Sequence, residues 1–451
     1  MNQRAACRSH IVSTTGGSFR STLDISNRAP TVREGTFLTA VSMKWILLAL
    51  PTQAQTDTAQ ALKQFHQACV DDKTPLWGVS LWGKIVLVNQ ETRSAIANER
   101  DPAGKFEERD SLFYGTLPDQ FMPANTSIDW GGQQWTLVMT PLPLSAFSRI
   151  RLLGHESFHR LQKQLNLNVD EPKLSHVDSE AGRLWLRMEL RALAQALRTS
   201  GNESRDAVRD AMAFRATRQK LFPGAKTQEA ALEIQEGLAE YTGTVLALKN
   251  TGESILRVAR ATEDYEGNSS LTRSFAYGTG PALGILLDRF HPGWRKSVTR
   301  ETNLAALLSA AVGATNADHR NQYGYQSVAS DEHEREARHQ QQLTKFRASF
   351  VDGPILIFPK TEEVYRYFDP NNLISMGELG TVYPTGTFTS RWGKLQVEDG
   401  ALLGSDNQSL RVVAPKDADA RSGPGWKLEL APGWKIRPAA RPGDFEIVNV
   451  P

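Results

Sequence analysis

The stretch RIRLLGHESFHRLQKQL, residues 149–165, decides how the chain is read. His155 and His159 are four residues apart, and Glu156 directly follows the first. On a helix these two imidazoles leave one face about a turn apart, which suits two nitrogen donors on one Zn²⁺. Glu156 lies off that line, where a carboxylate reaches a water beside the metal and serves as general base. Ile150, Leu152, Leu153, Phe158 and Leu161 make the helix apolar. Buried histidines and a buried carboxylate need partners. The competing reading is a pair of core histidines with satisfied hydrogen bonds, so the metal reading requires a third ligand.

Two stretches offer one. In LEIQEGLAEYTG (232–243), Glu233, Glu236 and Glu240 fall at i, i+3 and i+7 on a helix that otherwise carries Leu238, Leu246 and Leu248. Three carboxylates on one apolar face are costly to bury without a cation, unless the face is exposed. Gly237 and Ala239 are small enough for this helix to approach the histidine helix closely. In SHVDSEAGR (175–183), Asp178 and Glu180 are the rivals. That segment also reads as a helix start, with Asp178 or Ser179 as the cap and Glu180 in the first turn.

Around these motifs the chain changes character twice. Residues 57–70 read as a short helix. LWGVSLWGKIVLVNQETRSAIAN (76–98) reads as two strands about a turn at NQET, and SIDWGGQQWTLVMTPLP (127–143) as a hairpin turning at WGG. From Ser145 the period becomes helical, with helices expected near 145–165, 180–199, 204–221, 227–249, 277–290 and 303–313. The helix from Glu180 places Leu186, Leu190, Leu193 and Leu197 on one face and arginines on the other. The charged stretch 330–349 reads as a solvated connector helix. After Val351, short alternating runs split by Gly, Pro, Asn and Asp give a small C-terminal β-domain over 351–451. Its Trp392, Trp426 and Trp434 are expected in the core rather than on a binding face.

Charge and length narrow the class. The chain has 451 residues and a formal net charge of +2, with no basic concentration of the kind that binds nucleic acid. No run of 18 apolar residues would span a membrane. From Met43, MKWILLALPTQAQT has the order of a secretory signal peptide: a lysine, an apolar run and a small residue at Ala54. Residues 43–55 are therefore expected to be a removable leader, residues 1–42 an upstream extension, and the mature protein exported to the periplasm or beyond. Without residues 1–55, Cys69 is the one remaining cysteine, so no internal disulfide is expected.

HESFH followed by QEGLAEY resembles the gluzincin metallopeptidases, the thermolysin-like and aminopeptidase-N-like group. The likeness covers roughly 145–290. It implies His155, His159 and Glu236 as zinc ligands, Glu156 as general base, and Glu240 as a carboxylate orienting a histidine. Residues 160–235 make a longer linker between the motifs than many gluzincins have, so Asp178 and Glu180 stay open as ligands. Members of that group often place a tyrosine after the glutamate helix to steady the oxyanion. Tyr277, in SFAYGTGPALGILLDRF (274–290), matches that position. The whole chain also looks like a group of exported bacterial proteins sharing HExFHRxQ, GRxWLRxExRAL and EGLAEYTG. His176 and His291 are further polar candidates, each more ordinary as a surface or capping histidine.

The resulting expectation is an α+β chain, with a β-section and a mainly helical zincin-like domain over 56–350, then the C-terminal β-domain. It implies a zinc-dependent hydrolase acting on a peptide or protein substrate. A different class, an exported binding or structural protein with a non-catalytic metal site, would show four protein ligands, with Glu240 or His176 closing the coordination.

Overall fold

The computed structural model describes residues 53–170, 172, 174–314, 318–360, 364–369 and 372–450. The upstream extension and nearly all of the expected leader lie outside the described residues. The protein is 47% helical and 19% strand, an α+β chain. No helix among the described residues is long and apolar enough to cross a membrane.

Helix α1 (Gln53–Asp71) precedes a six-stranded sheet of β1 (Ile85–Asn89), β2 (Ser94–Ala97), β3 (Glu107–Arg109), β4 (Leu112–Thr116), β5 (Thr126–Asp129) and β6 (Gln134–Thr140). Their order is β3-β4-β2-β1-β6-β5, and β1 and β6 run parallel. Period-two alternation sorts the side chains. Ile85, Leu87, Ile96 and Val138 join the main core under the helices, while Val86, Val88, Ala97 and Leu137 pack on the other face with Phe106, Trp130 and Trp135. The two expected hairpins are present, but residues 76–84 form turns rather than strand. Trp77 there packs on Phe158, ring centroids 5.2 Å apart, and donates to the Thr242 hydroxyl at 2.9 Å.

Ten helices lie among the described residues: α1, then α2 (Ala146–Gln162), α3 (Glu180–Arg198), α4 (Gly201–Leu221), α5 (Ala225–Leu232), α6 (Leu238–Thr251), α7 (Ile255–Asp264), α8 (Phe275–Phe290), α9 (Leu304–Val312) and α10 (Tyr325–Arg347). A π-turn, Glu233–Gly237, joins α5 to α6 in one continuous rod. Ser145 caps α2, its hydroxyl accepting from Ser148 N at 3.1 Å. Ser179 caps α3 in the same way from Gly182 N, also at 3.1 Å, with Glu180 in the first turn.

Two glycine contacts bring the site helices together. A Cβ on Gly243 of α6 would stand 2.2 Å from Arg151 O and 2.9 Å from His155 N of α2. A Cβ on Gly280 of α8 would stand 2.3 Å from the Cα of Gly237. The close approach to the histidine helix is therefore made by Gly243, while Gly237, which the sequence suggested for it, faces α8.

The leucine face of α3 is buried as expected, but its arginine face is not left to solvent. Arg183 Nε and Arg187 Nη1 donate to Glu332 of α10 at 3.1 and 2.9 Å. The stretch 330–349 is helical and mostly exposed, as expected of a solvated connector, except that Glu332 is 2% exposed and clamps two arginines and Phe346 is buried. Beyond α10, two sheets of seven and five strands share one core. Trp392 and Trp426 are inside it and Trp434 packs against it.

Candidate metal centre

The centre forms where α2 crosses the π-turn and α6. His155 and His159 leave the buried face of α2, and Glu236 comes from the π-turn. Their ligand atoms all lie within 4.8 Å of one another. His155 Nε2 and His159 Nε2 are 3.0 Å apart, and Glu236 Oε2 is 3.5 Å from each. Tetrahedral zinc, about 2.05 Å from each donor, needs donor–donor edges of about 3.3 Å. The three donor–donor distances bracket that edge, so the residues present are compatible with such an ion.

Neighbouring groups fix the imidazole tautomers. Glu240 Oε2 lies 2.8 Å from His155 Nδ1, and Arg151 holds the other oxygen of Glu240. Gln162 Oε1 lies 2.7 Å from His159 Nδ1. Both Nδ1 atoms face acceptors and carry hydrogens, which turns both Nε2 atoms toward Glu236.

Hydrogen bonds and burial set the charge of each group in the cluster. Burial opposes charge on His155, but hydrogen bonds to Glu236 and Glu240 outweigh it and push the imidazole up to about 10. Burial alone would raise Glu236; bonds from His155 and His159 hold it well below the usual carboxylate range. Burial likewise opposes Glu240, and His155 and Arg151 pull it down. Glu156 goes the other way. Burial raises it more than the nearby histidines lower it, and its Oε2 is buried with no hydrogen-bond partner.

Tyr277, from the first turn of α8, donates to Glu236 Oε2 at 2.6 Å and stacks on His155, centroids 5.3 Å apart at 11°. Burial and then the charge of Glu236 raise its hydroxyl. The three expected ligands, His155, His159 and Glu236, thus lie together with Glu156 and Tyr277 beside them.

The rival ligands are employed elsewhere. Asp178 accepts from Leu271 N at 2.7 Å and from the hydroxyls of Ser270 and Thr272 at 2.5 and 2.6 Å, pinning the segment before α8. Glu180 lies 3.3 Å from His333 at the surface. His176 meets Glu229 at 2.9 Å, and His291 ends α8.

The acidic stripe is also divided. Glu233 turns away from the centre to Arg215, whose Nη1 and Nη2 donate at 2.9 and 2.5 Å, and it accepts from Thr279 at 2.7 Å. Compared with known proteins, the chain matches no family model, no curated protein and no solved structure.

Arg151 and Gln162 were not anticipated as parts of the centre. Helical spacing holds the signal for both: Arg151 is one turn before His155, and Gln162 one turn after His159. Chemically, the arrangement offers two imidazole nitrogens, one anionic oxygen and an adjacent carboxyl group with an unpartnered oxygen.

Proposed function

We propose that the chain is a zinc-dependent hydrolase of peptide bonds with a gluzincin-like centre, acting after export. The observation that carries this reading is Glu156: a buried carboxylate with an unpartnered oxygen beside three convergent ligands. His155, His159 and Glu236 would hold the ion. When bound, zinc supplies Lewis acidity toward a carbonyl oxygen and lowers the pKa of water.

The rest is work for side chains. Glu156 takes a proton from the attacking water and passes it to the leaving amine. A buried carboxyl with a raised pKa suits a group that must both accept and donate. Tyr277, once its hydroxyl turns from Glu236, supplies a hydrogen bond to the tetrahedral oxygen. Glu240 and Gln162 keep the ligating nitrogens aimed. The residue order from Met43 to Ala54 supports export.

A closed structural site is less favoured. Glu240 meets the far nitrogen of His155, and His176 is held by Glu229, so neither serves as a fourth ligand. The donor set also suits ferrous iron. The unpartnered Oε2 of Glu156 favours hydrolysis over that chemistry.

The test combines metal analysis with digestion of a mixed peptide library. Wild-type protein and Glu156→Gln should each hold one zinc, and only wild type should cut. Loss of hydrolysis by about 10²–10⁴-fold is expected for a missing general base. A Glu156→Gln variant as active as wild type would overturn the mechanism, and a chain that takes iron in preference to zinc would overturn the assignment.

A further inference from the structure

We propose that Gln162 is a positioning residue that joins two of the three ligands, setting the tautomer of His159 and clamping the π-turn that carries Glu236. The inference rests on the metal reading given above and extends the role of Gln162 from His159 alone to the π-turn that carries Glu236.

Gln162 is 1% exposed in the last turn of α2, three residues after His159. Its amide makes three hydrogen bonds. Nε2 donates to Ile234 O at 3.1 Å and to Gln235 O at 2.8 Å. Both carbonyls belong to the π-turn, where Leu238 N reaches back five residues to Glu233 O. The widened turn shifts the helical ladder by one residue, and both carbonyls accept from the Gln162 side chain.

Two carbonyls can face only the NH₂ end of the amide, so its orientation follows from the backbone. Oε1 is then directed at His159 Nδ1, 2.7 Å away. His159 must carry its hydrogen on Nδ1, and Nε2 keeps the lone pair for the centre.

The two histidines are served differently. His155 faces a carboxylate, Glu240, itself neutralised by Arg151. His159 faces a neutral amide that adds no charge. Only the amide has a donor end left over, and that end grips the element bearing Glu236. A shift of the π-turn would therefore turn Gln162 and, with it, His159. Gln235 extends the tie, its Oε1 accepting from Val169 N at 3.1 Å, beyond the end of α2.

Two variants of the full chain separate the roles. Gln162→Met keeps the length and removes every hydrogen bond. Gln162→Glu keeps an acceptor for His159 but turns a carboxylate toward the two carbonyls. Zinc affinity is read by competition with a chromophoric chelator, coordination by the visible absorption of bound Co²⁺, and the His159 tautomer by ¹⁵N NMR of metal-free protein.

Wild type should show His159 protonated at Nδ1. Gln162→Met should lose that preference and bind zinc about 10–100-fold more weakly, the usual loss for a partner behind a ligand. Gln162→Glu should keep the tautomer and still bind more weakly, with an altered Co²⁺ spectrum. The proposal is overturned by an Nε2–H tautomer in wild type, or by wild-type zinc affinity in either variant. Failure of wild type to take up zinc would instead sink the metal reading, while the metal-free tautomer still judges Gln162 on its own.

Discussion

Two buried clusters of charge share the rod from Ala225 to Thr251, and they are closed in different ways. In the first, Glu229 and Glu233 meet Arg218 and Arg215 from α4, with Glu189 of α3 bridging both guanidinium groups. In the second, Glu236 and Glu240 meet His155 and His159 of α2. Arginine keeps its charge at every accessible pH, so the first cluster is a permanent strut. Imidazole can give up its proton within the accessible pH range and bind metal through the same nitrogen, so on the metal reading proposed above the second can exchange its cation. Carboxylates three and four residues apart on one rod thus become support or site according to the cation opposite them.

The sharpest way to break the comparison is to remove a permanent cation. Arg215→Met leaves Glu233 buried without a cation and Glu189 with Arg218 alone, and stability in denaturant titration should fall by about 3–5 kcal/mol. A loss within error would show that the strut carries little.

The exchangeable cluster should respond to pH instead. The His155 pKa rises from 6.5 to about 10 on folding, so its contribution is full below pH 6.5 and is lost as pH climbs through about 10. Metal-free protein should lose stability across that window. Zinc-loaded protein should show a flatter profile, because the metal stands in for the proton, and zinc affinity should rise with pH. Equal pH profiles for the two forms would contradict the exchange.

Gly243→Ala forces a methyl group against Arg151 O and separates α2 from α6. It should cost about 1–3 kcal/mol in thermal or denaturant unfolding and weaken zinc binding as well. Asp178→Ala removes the anchor of residues 270–272 and should cost about 1–2 kcal/mol with zinc uptake unchanged.

Local periodicity made much of this architecture legible. The change from period two to 3.6 at Ser145 marks α2 closely, and the leucine stripe of α3 is buried as its spacing requires. The β3–β4 hairpin was not read, because EERDSLFYGT is mostly polar and two of its strand faces are exposed or half-buried. Helix α7 was missed among charged residues, with only Val258, Ala259 and Thr262 buried.

The candidate site was legible as residues and not as geometry. An uninterrupted α-helix would put Glu233, Glu236 and Glu240 on one face. The π-turn at Glu233–Gly237 widens the helix there, and Glu233 leaves that face for Arg215. No residue type in EIQEG announces a π-turn; it is supported by Gln162 and Arg215 from two other helices. The choice between Glu236 and Asp178 likewise depended on which segments pack together. Spacing along the chain does not hold that information.

The most direct test of an exchangeable cation held by His155, His159 and Glu236 is zinc content per chain in wild type, Glu236→Ala and Asp178→Ala, purified and loaded alike. One zinc in wild type and Asp178→Ala, with none retained by Glu236→Ala, is the expected result. Full zinc in Glu236→Ala together with its loss in Asp178→Ala would contradict the account.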